Sequence, residues 1–156
     1  MADQQFRALS SCLMIGFLVV VVTAGNTDTN EFVCQAAADV AFLVDSSGSI
    51  GWQNWVRMLQ FLKDMVKVFN VGPYKTHIAI VTFSTTAVLE FRFDRLKGSQ
   101  VTEAGYYSLI DKIRFQRGAT FIDKALILAD QQVFIRRAGM RPELPQVRPT
   151  QYRLLS

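Results

Sequence analysis

The feature that most constrains the fold is an apolar run that ends abruptly in small polar residues. Residues 39–44 read Asp-Val-Ala-Phe-Leu-Val, and residues 45–49 read Asp-Ser-Ser-Gly-Ser. A continuous apolar run of this length predicts a central parallel strand that is buried on both faces. The polar residues then form a loop at its carboxyl end, which is where open α/β sheets gather their ligands.

The elements that follow alternate between helix and strand. Apolar residues recur at helical spacing over 52–69, and residues 77–84 and 87–93 predict a hairpin that ends in an edge strand. Two more helices are predicted, over 102–113 and 121–133, and the whole order is an α/β plan in one domain. The side chains predicted to face the core are Trp52, Trp55, Val56, Leu59, Leu62, Val66 and Phe69; Leu89, Phe91 and Phe93 on one strand face; Tyr106, Leu109, Ile110 and Ile113; and Ile122, Ala125, Leu126, Ala129 and Val133. For Trp52, a contact at the rim of the polar loop is the alternative.

Residues 1–25 predict a secretory signal peptide. Arg7 precedes an apolar run over 12–22, and small residues stand at Ala24 and Gly25. A signal anchor is the alternative, but the run is well short of the roughly 20 residues that a membrane-spanning helix needs. Residues 26–37 are small and polar and predict a linker. The product is expected in the extracellular space or matrix, with no membrane span.

Cys34 is the only thiol that remains once a signal peptide containing Cys12 is removed. One cysteine cannot close an internal disulfide in an oxidising compartment. Three interpretations stay open: a buried thiol, an intermolecular bridge, and a bond whose partner lies beyond this sequence.

Charge and motif content exclude two classes of function. The net charge of +4 lies in the tail, because residues 25–135 carry 11 Lys and Arg against 11 Asp and Glu, while residues 136–156 carry five Arg against one Glu. A neutral body is not expected to bind nucleic acid. His77 stands alone in the sequence, and neither a Gly-x-Gly-x-x-Gly loop nor a Ser/His/Asp arrangement is present, so no enzyme is predicted.

The loop after the first apolar run carries oxygen ligands at alternate positions. Asp45, Ser47 and Ser49 can turn the same way in an extended loop and offer one carboxylate and two hydroxyls. Such donors suit Mg²⁺, Mn²⁺ or Ca²⁺ rather than zinc or copper. The alternative is that one of these serines only caps the helix that follows.

Residues 42–51, Phe-Leu-Val-Asp-Ser-Ser-Gly-Ser-Ile-Gly, closely resemble the opening strand and metal loop of von Willebrand factor A domains. Further family landmarks follow in family order at residues 69–73, 77–84, 110–113 and 118–126. The resemblance implies a Rossmann-like doubly wound sheet and a metal ion that binds an acidic group of a partner. Expected partners are extracellular matrix proteins such as collagens, or other matrix and cell-surface proteins, as in matrilins and fibril-associated collagens.

The resemblance also assigns the site residues. Asp45, Ser47 and Ser49 match the metal loop, and Thr120 matches the threonine that a second loop contributes. For Thr120 the alternative is a capping box with Asp123 at the start of the third helix. The expected cofactor is Mg²⁺, with Mn²⁺ or Ca²⁺ as substitutes.

The match breaks after Val147. The family continues there into a buried strand that ends in a further metal-site aspartate, whereas residues 148–156 form a divergent basic tail. The resemblance therefore implies a partial domain over residues 38–147, a weakened cation site, an uncovered edge beside the first strand, and Cys34 as half of a lost disulfide. The alternative function is a structural matrix component or fragment without a working metal site, which forms homo- or hetero-oligomers through Cys34 and that edge.

Overall fold

The structure, a computed structural model, describes residues 18–21 and 37–144. The linker and tail predictions, and Cys34, lie outside these residues. No helix of the described segments is long and apolar enough to cross a bilayer. The elements in chain order are β1 (Leu18–Val21), β2 (Asp39–Asp45), α1 (Gly51–Val68), β3 (His77–Phe83), β4 (Ala87–Phe91), α2 (Glu103–Ile110) and α3 (Ile122–Gln132), with 3₁₀ turns at Gly48–Ile50, Gly98–Gln100 and Arg136–Ala138.

The sheet has the order β1-β2-β3-β4. β2 and β3 are parallel, with Asp39 opposite His77 and Asp45 opposite Phe83, and β4 returns antiparallel to β3 as an edge strand. Every residue of β2 is buried. The central parallel strand and the hairpin are therefore confirmed, and the α/β fold class with them.

The edge of β2 that was expected to be open carries a strand in this structure. β1 pairs antiparallel with β2, from Leu18 opposite Val44 to Val21 opposite Ala41. Four residues of the predicted signal segment occupy this edge in the structure. Their sequence, Leu-Val-Val-Val, suits a strand as well as the apolar core of a signal peptide. The uncovered edge was predicted for the product without residues 1–25, so it stays a prediction.

The sheet is covered on both faces, as a doubly wound fold requires. Alternate side chains of β2 and β3 point to opposite faces, so each face has its own apolar core. One core joins the sheet to α1 and α2, and the other joins it to α3. The first contains Val40, Phe42, Val44, Trp55, Leu62, Val66, Ile78, Ile80, Tyr106 and Ile110; the second contains Ala41, Leu43, Ala79, Val81, Phe83, Ala125, Ala129 and Val133.

Three predicted core positions are wrong. Trp52 and Val56 of α1 and Ile122 of α3 are exposed. Trp52 and Ile122 lie in the first turns of their helices, and the ring of Trp52 contacts Phe115 instead of the sheet. Val56 is one residue past the buried Trp55, which places it about 100° around the helix from the core-facing line.

A bulge in β4 changes which face one predicted core residue occupies. Leu89 lies opposite Val81 and Phe91 lies opposite Ile80, so Glu90 is an extra residue in the ladder. Leu89 packs with the α3 core, whereas Phe91 packs with the core of α1 and α2. The prediction of one shared face for Leu89, Phe91 and Phe93 is therefore wrong for Phe91.

Candidate metal centre

The loop at the carboxyl end of β2 brings the predicted oxygen ligands together. Asp45 ends β2 with 6% of its surface exposed. Its Oδ1 accepts a hydrogen bond of 2.7 Å from the backbone N–H of Ser47, which is the local bond that aspartate favours in turns. The hydroxyl of Ser47 then lies 3.0 Å from the hydroxyl of Ser49. Asp45, Ser47 and Ser49 thus form one connected group.

This group runs from the protein interior to the surface. Asp45 and Ser47 are buried and Ser49 is exposed. The serines do not cap a helix: Ile50 is the N-cap of α1 and Ser47 that of the preceding 3₁₀ turn, and neither makes a side-chain capping bond. The capping interpretation of the serines is therefore wrong, and their hydroxyls remain available to a ligand.

Three hydrogen bonds hold a second loop against the first, and two of them join backbone groups. The N–H of Gln116 donates to Ser46 Oγ at 2.8 Å, and the N–H of Arg117 donates to the Ser46 carbonyl at 2.8 Å. The N–H of Gly48 in turn donates to the Gly118 carbonyl at 2.9 Å. These bonds hold the second loop against the first as far as Gly118, two residues before Thr120.

Thr120 is exposed and follows these contacts directly. α3 begins at Ile122 with Phe121 as its N-cap and without a side-chain capping bond. The alternative role of Thr120 as a cap is therefore wrong. Its role as a metal ligand stays a prediction, as do those of Asp45, Ser47 and Ser49.

Glycine at residue 118 lets the second loop lie close to Thr85, in the loop between β3 and β4. Gly118 has φ of 102°, and a Cβ at this position would lie 2.5 Å from Thr85 Oγ1. The preceding Arg117 also has a positive φ, 62°, which non-glycine residues rarely adopt. The hydroxyl of Thr85 accepts a hydrogen bond of 3.0 Å from the N–H of Ala119, so a third loop supports this conformation.

A polar network beneath the loops was not identified from the sequence. Gln116 Nε2 donates to Thr82 Oγ1 at 2.5 Å, and Gln116 Oε1 accepts from Ser84 Oγ at 2.9 Å. Thr82 Oγ1 in turn donates to Glu90 Oε1 at 2.6 Å. Burial raises the pKa of Glu90, and this hydrogen bond opposes the shift. The sequence signal for this network is the pair of polar residues Thr82 and Ser84 in the apolar run of residues 77–84.

The donor set fits a hard cation. Across residues 37–144, no three or more His, Cys, Asp or Glu side chains group together to hold a metal ion. The loop of residues 45–49 offers one carboxylate, that of Asp45, and serine hydroxyls. Oxygen donors of this kind suit Mg²⁺, Mn²⁺ or Ca²⁺, and so few protein ligands leave positions for water and for a partner carboxylate.

His77 lies away from this centre. It begins β3, whereas the candidate ligands lie at the carboxyl ends of the strands. Its Nε2 is 3.3 Å from the Pro73 carbonyl, and burial followed by the charge of Arg141 lowers its pKa. These contacts agree with the structural role predicted for it.

Comparisons with known proteins agree with this geometry. The profile of the von Willebrand factor type A domain matches residues 39–148. Zebrafish (Danio rerio) von Willebrand factor A domain-containing protein 1 is 31% identical over 147 residues, which are 92% of this chain and 28% of that protein. The human collagen alpha-6(VI) chain is 33% identical over 116 residues, 74% of this chain and 5% of the collagen.

A solved structure is similar over the same part of the chain. Proximal thread matrix protein 1 from the mussel byssus, described with a zinc-occupied MIDAS motif, superposes with a TM-score of 0.59. It is 32% identical and covers 76% of this chain and 28% of its own. The chain therefore spans 28% or less of the length of each of these three proteins.

Proposed function

Because the chain belongs to the von Willebrand factor type A family, we propose that it is a secreted, non-enzymatic binding module of the extracellular matrix. In this proposal residues 1–25 are a signal peptide, 26–37 a linker, 38–147 the binding domain and 148–156 a basic tail. The loop of Asp45, Ser47 and Ser49, together with Thr120, holds a divalent cation. The cation binds an acidic group of a partner protein, of which collagens are the first candidates.

The observation that carries this proposal is the connected oxygen group at the end of β2. Asp45 is buried and oriented by Ser47, and the two serine hydroxyls are 3.0 Å apart without serving as caps. A bound cation would place a concentrated positive charge at the exposed end of this group, near Ser49. The partner carboxylate would complete its coordination with a charge-assisted contact.

The relatives support a place in the matrix. One is a collagen chain and the similar solved structure is a thread matrix protein, as their names state. Binding rather than catalysis is favoured by the chemistry of the centre, because His77 begins β3 opposite Asp39, at the other end of β2 from Asp45. An isolated carboxylate with hydroxyls offers cation ligands but no acid and base pair.

Calorimetric titration of the chain secreted by animal cells tests the cation site. Mg²⁺, Mn²⁺, Ca²⁺ and Zn²⁺ are titrated into the native chain, Asp45→Asn and Asp130→Asn. The Asp45→Asn side chain keeps an acceptor for the Ser47 N–H but loses the charge, so the affinity should fall by about tenfold or more. Asp130 is an exposed carboxylate on α3 and serves as the control. Equal affinities of the two variants would refute the site.

Binding to immobilised collagen tests the partner. Retention of the native chain in Mg²⁺, its loss in EDTA and its loss in Asp45→Asn are the expected results. Retention that is equal in Mg²⁺ and EDTA would reject the cation-dependent mechanism.

A second function is favoured by the edge of β2. That edge accepts an added antiparallel strand over four residue pairs, which is the contact by which a structural matrix component would assemble. Cys34 would then supply an intermolecular disulfide. Electrophoresis of the secreted chain without reductant, compared with Cys34→Ser, tests this role, and a native chain that runs as a monomer would reject the disulfide.

A further inference from the structure

A groove lies beside the candidate metal centre, between the start of α1 and the segment 111–117. Its volume is 370 Å³. Aromatic and aliphatic side chains line it together with two arginines and one carboxylate; the aromatic and charged residues are Trp52, Trp55, Phe115, Arg114, Arg117 and Asp111.

The floor of the groove is rigid and aromatic. Phe115 stacks on the buried Trp55, with ring centroids 5.4 Å apart and planes at 23°. The ring centroid of Trp52 lies 6.3 Å from that of Phe115, and 61% of the surface of Trp52 is exposed. A large, exposed indole on a fixed floor can bury apolar area of a partner with little loss of side-chain entropy.

The charges of the groove favour an anionic occupant. Arg114 and Arg117 bring two positive charges, and the carboxylate of Asp111 is already bonded to Lys63 Nζ at 2.5 Å. Within residues 37–144, no salt bridge joins Arg114 or Arg117 to a carboxylate. Because residues 25–135 are neutral overall, this local excess is not part of a broad basic surface of the kind that binds nucleic acid.

The groove is continuous with the candidate metal centre. The N–H groups of Gln116 and Arg117 are bonded to Ser46, which lies between Asp45 and Ser47. Trp52 follows Ser49 by only three residues. Arg117 thus belongs to the wall of the groove and is bonded to the metal loop, so the two sites are adjacent.

We propose that the groove binds an acidic segment of a partner protein through a large apolar side chain of that segment. The apolar side chain packs on the exposed indole of Trp52. A neighbouring carboxylate pairs with Arg114 or with Arg117, whose guanidinium lies 5.8 Å from the centroid of the Phe115 ring. This inference rests on the proposed function, because it takes the partner to be a protein whose carboxylate binds the metal ion. It adds that the partner residues next to this carboxylate are apolar and acidic.

Selection from a phage library of random peptides, about 12 residues long, tests this assignment. The secreted native chain is the target in Mg²⁺, and no variant of Trp52 is used during selection. The selected peptides should be enriched in Asp or Glu next to Phe, Trp or Leu. By fluorescence anisotropy they should bind Trp52→Ala about tenfold more weakly or worse.

Matched variants isolate the contribution of each wall. Tyr74 is 92% exposed in the turn before β3, far along the chain from the groove, so Tyr74→Ala should bind the peptides as the native chain does. Arg114→Gln and Arg117→Gln should each lose part of the preference for acidic over amide peptides, and Arg137→Gln should not. Selected peptides that bind the native chain and Trp52→Ala equally would overturn the proposal.

The same measurements separate this inference from the cation site. A Trp52 effect that persists while EDTA and Asp45→Asn change nothing would reject the cation mechanism and leave the groove supported. Peptide binding that requires the cation but is unchanged in Trp52→Ala would support the cation site and reject the groove. A concentration-dependent dimer in sedimentation that Trp52→Ala abolishes, with no acidic peptide selected, would assign the groove to a second copy of the chain and overturn the proposal.

Discussion

A buried ion pair ties the end of the described structure to its central strand. Arg141 Nη2 and Nε lie 2.7 and 2.9 Å from Asp39 Oδ1, and the Arg141 backbone N–H donates to Asp39 Oδ2 at 2.7 Å. Nη2 also donates to the carbonyls of Ala38 and Lys75, both at 2.8 Å. Only 5% of the Asp39 side chain is exposed. Arg141 therefore joins the start of β2 to the approach to β3.

Truncation of Arg141 should be costly because it leaves a buried carboxylate without its counter-ion. Removal of one partner of a buried pair costs about 3–5 kcal/mol of stability. Lys63 and Asp111 form a bridge of similar length, 2.5 Å, but the Asp111 side chain is 60% exposed. An exposed bridge contributes about 0–1 kcal/mol, so Lys63→Ala is the matched control.

Urea denaturation followed by circular dichroism measures both variants. Arg141→Ala is expected to lose about 3–5 kcal/mol and Lys63→Ala less than about 1 kcal/mol. Since a small domain has about 5–15 kcal/mol in total, Arg141→Ala can approach the unfolded state. The double replacement Asp39→Leu with Arg141→Met should then recover most of the loss, because it leaves no unpaired charge. Losses for Arg141→Ala and Lys63→Ala that agree within error would refute this reasoning.

Three further predictions concern single side chains. Burial raises the pKa of Glu90, so its contribution to stability is present below the unfolded pKa and is lost as pH rises through the folded pKa. Glu90→Gln should therefore diminish the loss of thermal stability that occurs as pH rises above the unfolded pKa of 4.5, and an unchanged loss would contradict the raised pKa of Glu90. Gly105→Ala should lower the melting temperature although alanine favours helices by about 1 kcal/mol, because its Cβ would lie 2.5 Å from the Gln100 carbonyl oxygen; a higher melting temperature would show that the backbone yields. Trp55→Ala should cost about 3–5 kcal/mol in urea denaturation and Trp52→Ala less than about 1 kcal/mol, and similar losses would count against their different burial.

The strands and helices were predictable because their signals are local. The apolar run before Asp45 has the period and length of a buried strand, and its polar ending identifies the loop. The helical spacing that begins at Trp52 likewise gave α1 to within a residue at each end. The neighbouring positions of Asp45, Ser47 and Ser49 follow from their spacing in one extended loop.

The remaining features depend on contacts between distant segments. Arg141 and Asp39 are 102 residues apart, and neither has a sequence pattern that identifies the other. Phe91 lies on the other face of the sheet than predicted because Glu90 is an extra residue in β4. The position of this extra residue depends on pairing with β3. Trp52 has the helical spacing of a core residue but lies beyond the area that the sheet covers, so periodicity alone placed it wrongly.

Leu18–Val21 cannot both pair with β2 and be removed as part of a signal peptide. If residues 1–25 are removed as a signal peptide, Leu18–Val21 cannot pair with β2, and backbone groups over four residue pairs lose their partners. An open edge of this kind binds another strand. The secreted product should therefore form concentration-dependent oligomers in analytical ultracentrifugation. A peptide of residues 16–23 should dissociate them, whereas the same peptide with N-methylated backbone amides should not, because only the first can donate hydrogen bonds. A product without residues 1–25 that remains monomeric over the whole concentration range would show that the edge of β2 is protected by another part of the chain.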